Sequence, residues 1–217
     1  MVSYEAMSEL SIPGSYPKIG EKPLKDLIEK VRATSTTLAE VYRERSEEKI
    51  YYYRSPLYWI RSMDFLPHFN SAEASRSVHH FKDFGLVSSK HAPIAGCIVN
   101  STLFYLWFIV YGNGRNVALR DIQTFPMPKS VVSTDNNHTF AKLFKKLMAG
   151  YEANSVVRRR RDGVEYQEFY PGKSKEIIDE IDRELAAHYG FTDEELDFII
   201  NYDIKYRMGS AESESEE

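Results

Sequence analysis

The stretch from Ala92 to Pro128 decides the fold, and it reads A-P-I-A-G-C-I-V-N-S-T-L-F-Y-L-W-F-I-V-Y-G-N-G-R-N-V-A-L-R-D-I-Q-T-F-P-M-P. Its first part, Ala92 to Tyr111, carries no charged side chain, is rich in aromatic residues and stops at Gly112-Asn113-Gly114. A run of this length is just sufficient to cross a membrane. Its first half is only weakly apolar, however, and its flanks do not follow the usual topology pattern of basic residues. We therefore predict a buried central helix that ends at the glycines.

The length and composition of the chain are typical of one globular domain with extensions. The chain has 217 residues, of which 42% are hydrophobic and 28% are charged, and this is a globular composition. The net charge is −4, but the last eight residues hold four glutamates and no basic residue, so the remainder balances 28 acidic against 28 basic side chains. The distribution of charge, and not its total, therefore bears on nucleic-acid binding.

Cys97 is the single cysteine of the sequence. One cysteine excludes a disulfide or a cysteine-based zinc site within the chain. Because the N-terminus also shows no basic and then apolar signal segment, we expect a cytoplasmic protein.

Upstream of the central stretch, the pattern predicts one helix and two strands. Residues 1–20 are rich in proline, glycine and small polar residues and are interpreted as a linker. Pro23 is placed where a helix start tolerates proline, and apolar residues follow at helical spacing. Ile50 to Arg61 is aromatic and contains a proline, which is typical of an edge strand or a junction between strands. Ser77 to Phe84 predicts a second strand.

Downstream, the pattern predicts a hairpin and further helices. Ala141 to Met148 reads as a short helix. Asp162-Gly163 between two strand-prone runs predicts a hairpin with a two-residue loop. Ser174 and Gly190 mark the two ends of a helix, and Thr192 begins the next one with a capping box.

These elements predict an α+β domain at residues 21–209. We expect a small, curved, mostly antiparallel sheet packed on the buried central helix, followed by a helical C-terminal extension. Residues 210–217 are acidic and serine-rich, and from Gly209 onward the chain is expected to be disordered.

No catalytic motif is present in the sequence. The phosphate-binding loop, the dinucleotide fingerprint, the nucleophile elbow and the motif H-E-x-x-H are all missing. His79 and His80 are adjacent, so on a strand they would face opposite sides and could not chelate one metal. The carboxylates concentrate at capping and solvent-facing positions of the C-terminal helices. We expect no catalytic residue, metal site or cofactor site in this chain.

Arginines beside the predicted hairpin turn, Arg158 to Arg161, are the first functional candidates. On a strand about half of them would project together. Such a hairpin can follow phosphates or enter a DNA groove, where arginine binds guanine edges. A solvated hairpin whose charges prevent edge aggregation explains the same residues equally well.

Two other groups of polar residues are candidates. One alternates with aromatic residues around Tyr51 to Tyr53, which suits nucleic-acid binding, although a core strand pair with snorkelling arginines is the other interpretation. The second lies at the turn after the central helix, where Asp121 is expected to pin the turn. The candidate DNA contacts are Arg54, Arg61, Arg76, His79 and Lys82; Asn113, Arg115 and Arg120; and Arg158, Arg159, Arg160 and Arg161.

Three long segments together resemble a known family. They are Y-Y-Y-R-S-P-L-Y-W-I-R-S-M-D-F-L-P-H-F from Tyr51, I-V-N-S-T-L-F-Y-L-W-F-I-V-Y-G-N-G-R-N from Ile98 and Y-Q-E-F-Y-P-G-K-S-K-E-I-I-D-E-I-D from Tyr166. Residues 22–209 resemble the C-terminal target-recognition region of adenine-specific DNA methyltransferases from type II restriction-modification systems. The segment from Ile98 is also similar to the specificity subunits of type I systems.

The resemblance implies two partners, double-stranded DNA and the methyltransferase domain of a parent protein, and no membrane. That domain binds S-adenosylmethionine and carries an Asn-Pro-Pro-Tyr type motif, whereas this sequence has no Pro-Pro dipeptide. The chain is therefore expected to be a fragment, or a separately encoded specificity piece, without a catalytic or nuclease domain. No catalytic activity is expected of it alone.

The leading expectation is a module for sequence-specific recognition of double-stranded DNA. A base-flipping methyltransferase needs a second lobe that grips the duplex and reads neighbouring bases. The alternative is a structural piece whose C-terminal helices dock on the methyltransferase core without reading DNA. Burial of Ile181, Leu185 and Leu196 in the domain's own core would weaken that alternative. A free-standing hydrolase or nuclease is a third hypothesis without a supporting motif.

Overall fold

The structure, a computed structural model, describes residues 8–71, 81–132 and 137–213. Its helices are α1 (Lys22–Arg32), α2 (Ala92–Asn100), α3 (Thr102–Tyr111), α4 (Leu119–Gln123), α5 (Lys129–Val132), α6 (Asn137–Ala153), α7 (Lys175–Tyr189), α8 (Asp193–Asn201) and α9 (Ile204–Ser213). Its strands are β1 (Thr36–Thr37), β2 (Lys49–Tyr53), β3 (Ser62–Met63), β4 (Phe69–Asn70), β5 (Phe81–Gly85), β6 (Pro126–Met127), β7 (Ser155–Arg159) and β8 (Glu165–Phe169).

The strands form small antiparallel sheets. β1 pairs with β6, β2 lies between β3 and β5, and β8 lies between β4 and β7. The α+β class predicted from the sequence is confirmed. The strands are distributed over three separate sheets and not over the single sheet that the sequence predicted.

The N-terminal segment packs on α3, and α1 packs on α8 and β6. The buried residues of α1 run at helical spacing from Leu24 to Val31, which gives the helix one apolar face. Leu10 and Ile19, within the segment interpreted as a linker, are also buried. The hydroxyl of Tyr111 donates to the carbonyl of Leu10 at 2.7 Å. The segment before α1 thus contributes Leu10 and Ile19 to the core.

The predicted central helix is in fact two helices, α2 and α3, which meet at an angle of 66°. Ser101 separates them with an extended backbone (ψ 155°), and its hydroxyl accepts a hydrogen bond from the N–H of Phe104 at 3.0 Å. The carboxylate of Asp182 accepts from the N–H groups of Thr102 and Leu103 at 3.1 and 3.2 Å. Side-chain oxygens thus satisfy the first N–H groups of α3, which a continuous helix would bond internally.

Among the described residues, no single helix has the length and apolar character needed to cross a membrane. Residues 89–100 and α3 reach that length only as a bent pair. Both helices are largely buried within the protein.

Buried hydrogen bonds fix α2 to β3 and α6. The side-chain amide of Asn100 donates to the carbonyl and hydroxyl oxygens of Ser62 at 2.9 and 2.8 Å, and its oxygen accepts from the Tyr151 hydroxyl at 2.8 Å. At Gly96, α2 approaches α6 so closely that a Cβ atom would lie 2.2 Å from the ring of Phe144. A fully bonded buried network specifies one arrangement of the core.

Arg207 anchors the C-terminal helix α9. Its side chain is buried (1% exposed). Its guanidinium carbon lies 3.9 Å from the ring centroid of Trp59, and its Nη1 donates to the Thr102 hydroxyl at 3.1 Å. The indole N–H of Trp59 donates to the carbonyl of Arg207 at 3.0 Å. α9 continues to Ser213, four residues beyond Gly209.

Several element boundaries differ from the sequence prediction. The second predicted strand is described only from Phe81, where β5 begins, and residues 77–80 lie outside the described residues. The predicted short helix is the middle of the longer α6. Gly190 ends α7 with φ 68°, and the capping box of Thr192 and Glu195 begins α8, so both of these local signals are confirmed.

Candidate nucleic-acid interface

One exposed basic element of the described chain is the arginine hairpin, a name given to Ser155–Phe169. In its register, Arg158 lies opposite Tyr166 and Arg159 lies opposite Glu165. β8 also pairs with β4, so β7 is the edge strand of its sheet. The body of the protein thus supports one strand of the hairpin and leaves the other on the outside.

The turn of this hairpin has three residues in its loop, 161–163, and not the predicted two. The N–H of Gly163 donates to the carbonyl of Arg160 at 3.0 Å, and the N–H of Arg160 donates to the carbonyl of Val164 at 2.8 Å. Gly163 has φ 83°, whereas Asp162 does not have a positive φ. A two-residue loop of the type favoured by Asp-Gly needs positive φ at both positions, so this is the bulged three-residue alternative.

The outer strand and the turn of the hairpin are exposed. Every residue from Val156 to Gly163 is exposed, and the side chain of Val157 is 57% exposed although it is apolar. Successive strand residues point to opposite faces. Exposure of consecutive residues therefore means that both faces of β7 are accessible to a partner.

Arg158 is held on one side by two acceptors. Its Nε donates to Oε2 of Glu168 at 2.8 Å, and its Nη2 donates to the Tyr170 hydroxyl at 3.0 Å. The Tyr170 hydroxyl in turn donates to Oε2 of Glu168 at 2.6 Å, and this bond raises the pKa of Tyr170. The hydrogen bond to Glu168 likewise raises the pKa of Arg158. The three side chains form a closed ring of charge-assisted hydrogen bonds.

The other hairpin arginines are held more loosely. Arg159 lies 3.8 Å from a carboxylate oxygen of Glu165, and Arg160 lies 3.6 Å from one of Asp162. Arg161 is exposed within the loop. Exposed ion pairs of this kind contribute little to stability, about 0–1 kcal/mol. These guanidinium groups can therefore exchange a carboxylate for a phosphate.

The turn after α3 is pinned by two side chains. The Asn113 side-chain oxygen accepts from the N–H groups of Arg115 and Asn116 at 2.8 and 2.7 Å. The Asp121 carboxylate accepts from the N–H of Ala118 at 2.8 Å, and burial raises the pKa of this carboxyl group. The candidate DNA contact Asn113 thus has a structural role in the turn, and so does Asp121, as expected.

Arg115 and Arg120 are exposed at this turn. The structure brings Arg54 to the same place, because its carbonyl accepts from the N–H of Val117 at 2.8 Å. An open cleft of about 390 Å³ lies beside them. It is lined by Gly14, Ser15, Tyr111, Gly112, Asn113, Ala118, Arg120 and Asp121.

Arg61 bridges two of the sheets from a half-buried position. Its guanidinium carbon lies 4.2 Å from the ring centroid of Tyr53, and its Nη1 donates to the carbonyl of Phe169 at 3.4 Å. These contacts show that Arg61 packs between the strands, as in the interpretation of a core strand pair with snorkelling arginines. Lys82 is exposed on β5, opposite Tyr52. The remaining two candidates, Arg76 and His79, lie outside the described residues.

The predicted contacts therefore separate into two described clusters, the arginine hairpin and the turn with Arg54, Arg115 and Arg120. The residues that sequence reasoning missed are Glu168 and Tyr170, which orient Arg158. Their signal is the alternation in Y-Q-E-F-Y, which places Tyr166 and Glu168 on one face of β8 and continues to Tyr170, directly after the strand.

Other groups of titratable side chains among the described residues give less support for a functional site. No group of three or more His, Cys, Asp or Glu that could hold a metal ion occurs among the residues searched. His188 lies 3.0 Å from the Ser130 hydroxyl through Nδ1 and 3.5 Å from Glu184 through Nε2. Glu184 and His188 are four residues apart on α7, with the histidine at the helix C-terminus, which is an ordinary stabilising arrangement.

Comparisons of this chain with protein-family models, with curated proteins and with solved structures found no match.

Proposed function

We propose that this chain is a sequence-specific recognition module for double-stranded DNA, of the kind that serves an adenine methyltransferase of a restriction-modification system. The observation that carries the proposal is the arginine hairpin, which exposes four consecutive arginines along the end of its edge strand and its turn. The major groove of DNA admits a two-stranded β-ribbon. The sequence resemblance supports the same function independently.

The charges of the hairpin set the expected strength of binding. Its four arginines face three carboxylates, those of Asp162, Glu165 and Glu168, so the excess of positive charge is small. Contact with phosphates releases counterions from DNA, and affinity therefore falls steeply with salt. We expect weak binding by this chain alone, on the order of micromolar or weaker at moderate salt.

A titration of a fluorescently labelled duplex at about 50 and 200 mM salt tests the proposal. The variant Arg159→Ala/Arg160→Ala/Arg161→Ala removes the three loosely held guanidinium groups. We expect it to weaken binding at low salt at least tenfold. The slope of log K against log salt should become shallower by about 0.9 for each phosphate that the variant no longer neutralises.

The matched control is Lys22→Ala/Lys129→Ala/Arg183→Ala, which removes the same charge from exposed positions on helices outside the hairpin. An equal loss in both variants would show that net charge, and not the hairpin, governs binding. Failure of the folded protein to bind DNA even at low salt would refute DNA recognition.

A second candidate function is docking on a methyltransferase core. Ile181 and Leu185 are buried within this chain's own core, and Leu196 is half-buried, which weakens docking through α7 and α8. Leu57 and Tyr206, however, are 69% and 59% exposed. Co-elution with the methyltransferase domain of the parent protein, abolished in Leu57→Glu/Tyr206→Glu, would support docking through this surface.

A further inference from the structure

We propose that Arg158 is a specificity-determining residue that reads a guanine in the major groove, and that Glu168 and Tyr170 are positioning residues that present its guanidinium to the base. This inference rests on the proposed function. It goes further by naming the base, the reading residue and the residues that orient it. It also separates Arg158 from its three neighbours, which we assign to phosphates.

The first step is the fixed orientation of the guanidinium. Nε and Nη2 form one edge of this planar group, and that edge is occupied by Glu168 and Tyr170 at 2.8 and 3.0 Å. The two acceptors are themselves bonded to each other at 2.6 Å. Two contacts on one edge of a rigid fork fix its rotation as well as its position. The guanidinium therefore gives up less conformational freedom when a base is bound.

The second step concerns the edge of the Arg158 guanidinium that Glu168 and Tyr170 do not occupy. Arginine has five N–H donors, and the bonds to Glu168 and Tyr170 use two of them. The end formed by Nη1 and the outer N–H of Nη2 keeps two parallel donors, and the side chain is 44% exposed. Guanine presents two acceptors, O6 and N7, side by side in the major groove. A bidentate pair between these edges needs no rearrangement of the arginine.

The third step is the choice between a base and a phosphate. The carboxylate of Glu168 remains beside the guanidinium of Arg158, and its negative charge would repel a phosphate close to that site. A guanine edge carries no net charge, so hydrogen bonding to it is not penalised in this way. Arg159 and Arg160 have only one long ion pair each, at 3.8 and 3.6 Å. They are free to turn towards the DNA backbone.

Selection of bound duplexes from a randomised pool, with the full chain, tests this assignment. We expect the wild-type protein to enrich a motif that contains a fixed G·C pair. That position should become degenerate in Arg158→Ala, whereas Arg161→Ala should keep the motif and bind all sequences more weakly. Tyr170→Phe, which removes the hydroxyl and keeps the buried ring, should relax the preference partly. Circular dichroism and thermal melting would establish that each variant is folded.

Replacement of the selected guanine by 7-deazaguanine, which lacks the N7 acceptor, gives a second readout. Wild-type affinity should fall on the order of tenfold or more, while the affinity of Arg158→Ala should not change. An unchanged motif in Arg158→Ala, or an equal effect of 7-deazaguanine on both proteins, would overturn the role of Arg158 and leave DNA binding intact. A folded wild-type protein that retains no DNA at low salt would overturn both proposals.

Discussion

The carboxylate of Asp182 accepts a hydrogen bond from the backbone N–H of Thr102 at 3.1 Å, although the two residues are 80 positions apart. Thr102 is the first residue of α3, and Asp182 lies in the middle of α7. A side chain from one helix thus caps another at the break in the central apolar stretch. The negative charge is also favourably placed at a helix N-terminus.

This buried carboxylate predicts a pH dependence of stability. Burial raises the pKa of Asp182 from 3.8 to about 6, against the opposing effect of its hydrogen bonds. A raised folded-state pKa means that the folded protein binds this proton more tightly than the unfolded chain. The contribution of Asp182 to the free energy of unfolding is therefore greatest below pH 4 and is lost as the pH rises through 6, by about 3 kcal/mol in all.

Urea denaturation of the wild type and of Asp182→Asn at about pH 4, 5, 6 and 7 measures this effect. The variant has no proton to exchange, so its deficit in free energy of unfolding should be larger at pH 4 than at pH 7. Asp64→Asn, an exposed carboxylate, is the control and should show no such trend. A deficit that grows with pH would show that the folded state prefers the ionised carboxylate.

Removal of Arg207 should destabilise the protein strongly. Arg207 is 1% exposed and is packed on the ring of Trp59. Burial lowers the pKa of its guanidinium, and attraction from Asp182 opposes that effect. Arg207→Ala leaves Asp182 buried without that cation, so we expect a loss of about 3–5 kcal/mol in the free energy of unfolding. Chemical denaturation followed by circular dichroism measures the loss.

Lys205→Ala, at an exposed position of the same helix, is the control for α9. We expect it to change stability by less than about 0.5 kcal/mol. Similar small effects of the two variants would mean that α9 is not anchored through Arg207.

Asp182 also shows why part of the fold could not be predicted from the sequence. The capping box at Thr192 and the end of α7 at Gly190 depend on residues within one turn, and both were predicted. Asp182 caps α3 from another helix, so no local pattern signals it. Without that distant acceptor, an uncharged apolar run such as Ala92 to Tyr111 favours one continuous helix.

In the candidate site, the register of the arginine hairpin differs by one residue from the register that the sequence predicted. Asp162-Gly163 correctly predicted a hairpin, but a two-residue loop would have placed Arg158 opposite Gln167. The observed register places it opposite Tyr166. Since a shift by one residue moves a side chain to the other face, the contact between Arg158 and Glu168 could not be predicted without the geometry of the turn.

Close packing of α2 on α6 gives a third prediction. A Cβ atom at Gly96 would lie 2.2 Å from the ring of Phe144, and Phe144 is only 3% exposed. The ring cannot move aside without disturbing the core, so Gly96→Ala should lower the free energy of unfolding by about 1–3 kcal/mol. Thermal or urea unfolding measures the change.

Gly20→Ala is the matched control, because no atom lies within 4 Å of a Cβ at that position. We expect it to be neutral or slightly stabilising. Gly96→Ala/Phe144→Leu should lose less stability than the sum of its two single changes. Strict additivity would contradict a direct clash between these residues.

The turn of the arginine hairpin gives the last prediction. Gly163 has φ 83°, and a Cβ atom there would meet nothing within 4 Å, so only backbone strain opposes a side chain. Gly163→Ala should destabilise the turn by about 1–2 kcal/mol, whereas Gly163→Asn should be tolerated better because asparagine adopts this conformation more readily. Amide hydrogen exchange of the hairpin, compared with exchange in α7, would localise the loss.

The same substitution reports on the orientation of Arg158. If the alanine variant avoids strain by changing the loop, the register shifts and Arg158 leaves the face that carries Glu168. The NMR contact between Arg158 and Tyr166 should then disappear together with the guanine preference, while phosphate-driven binding at low salt persists. If amide exchange in the hairpin of Gly163→Ala becomes faster but the base preference does not change, the orientation of Arg158 does not depend on the turn, and this prediction is refuted.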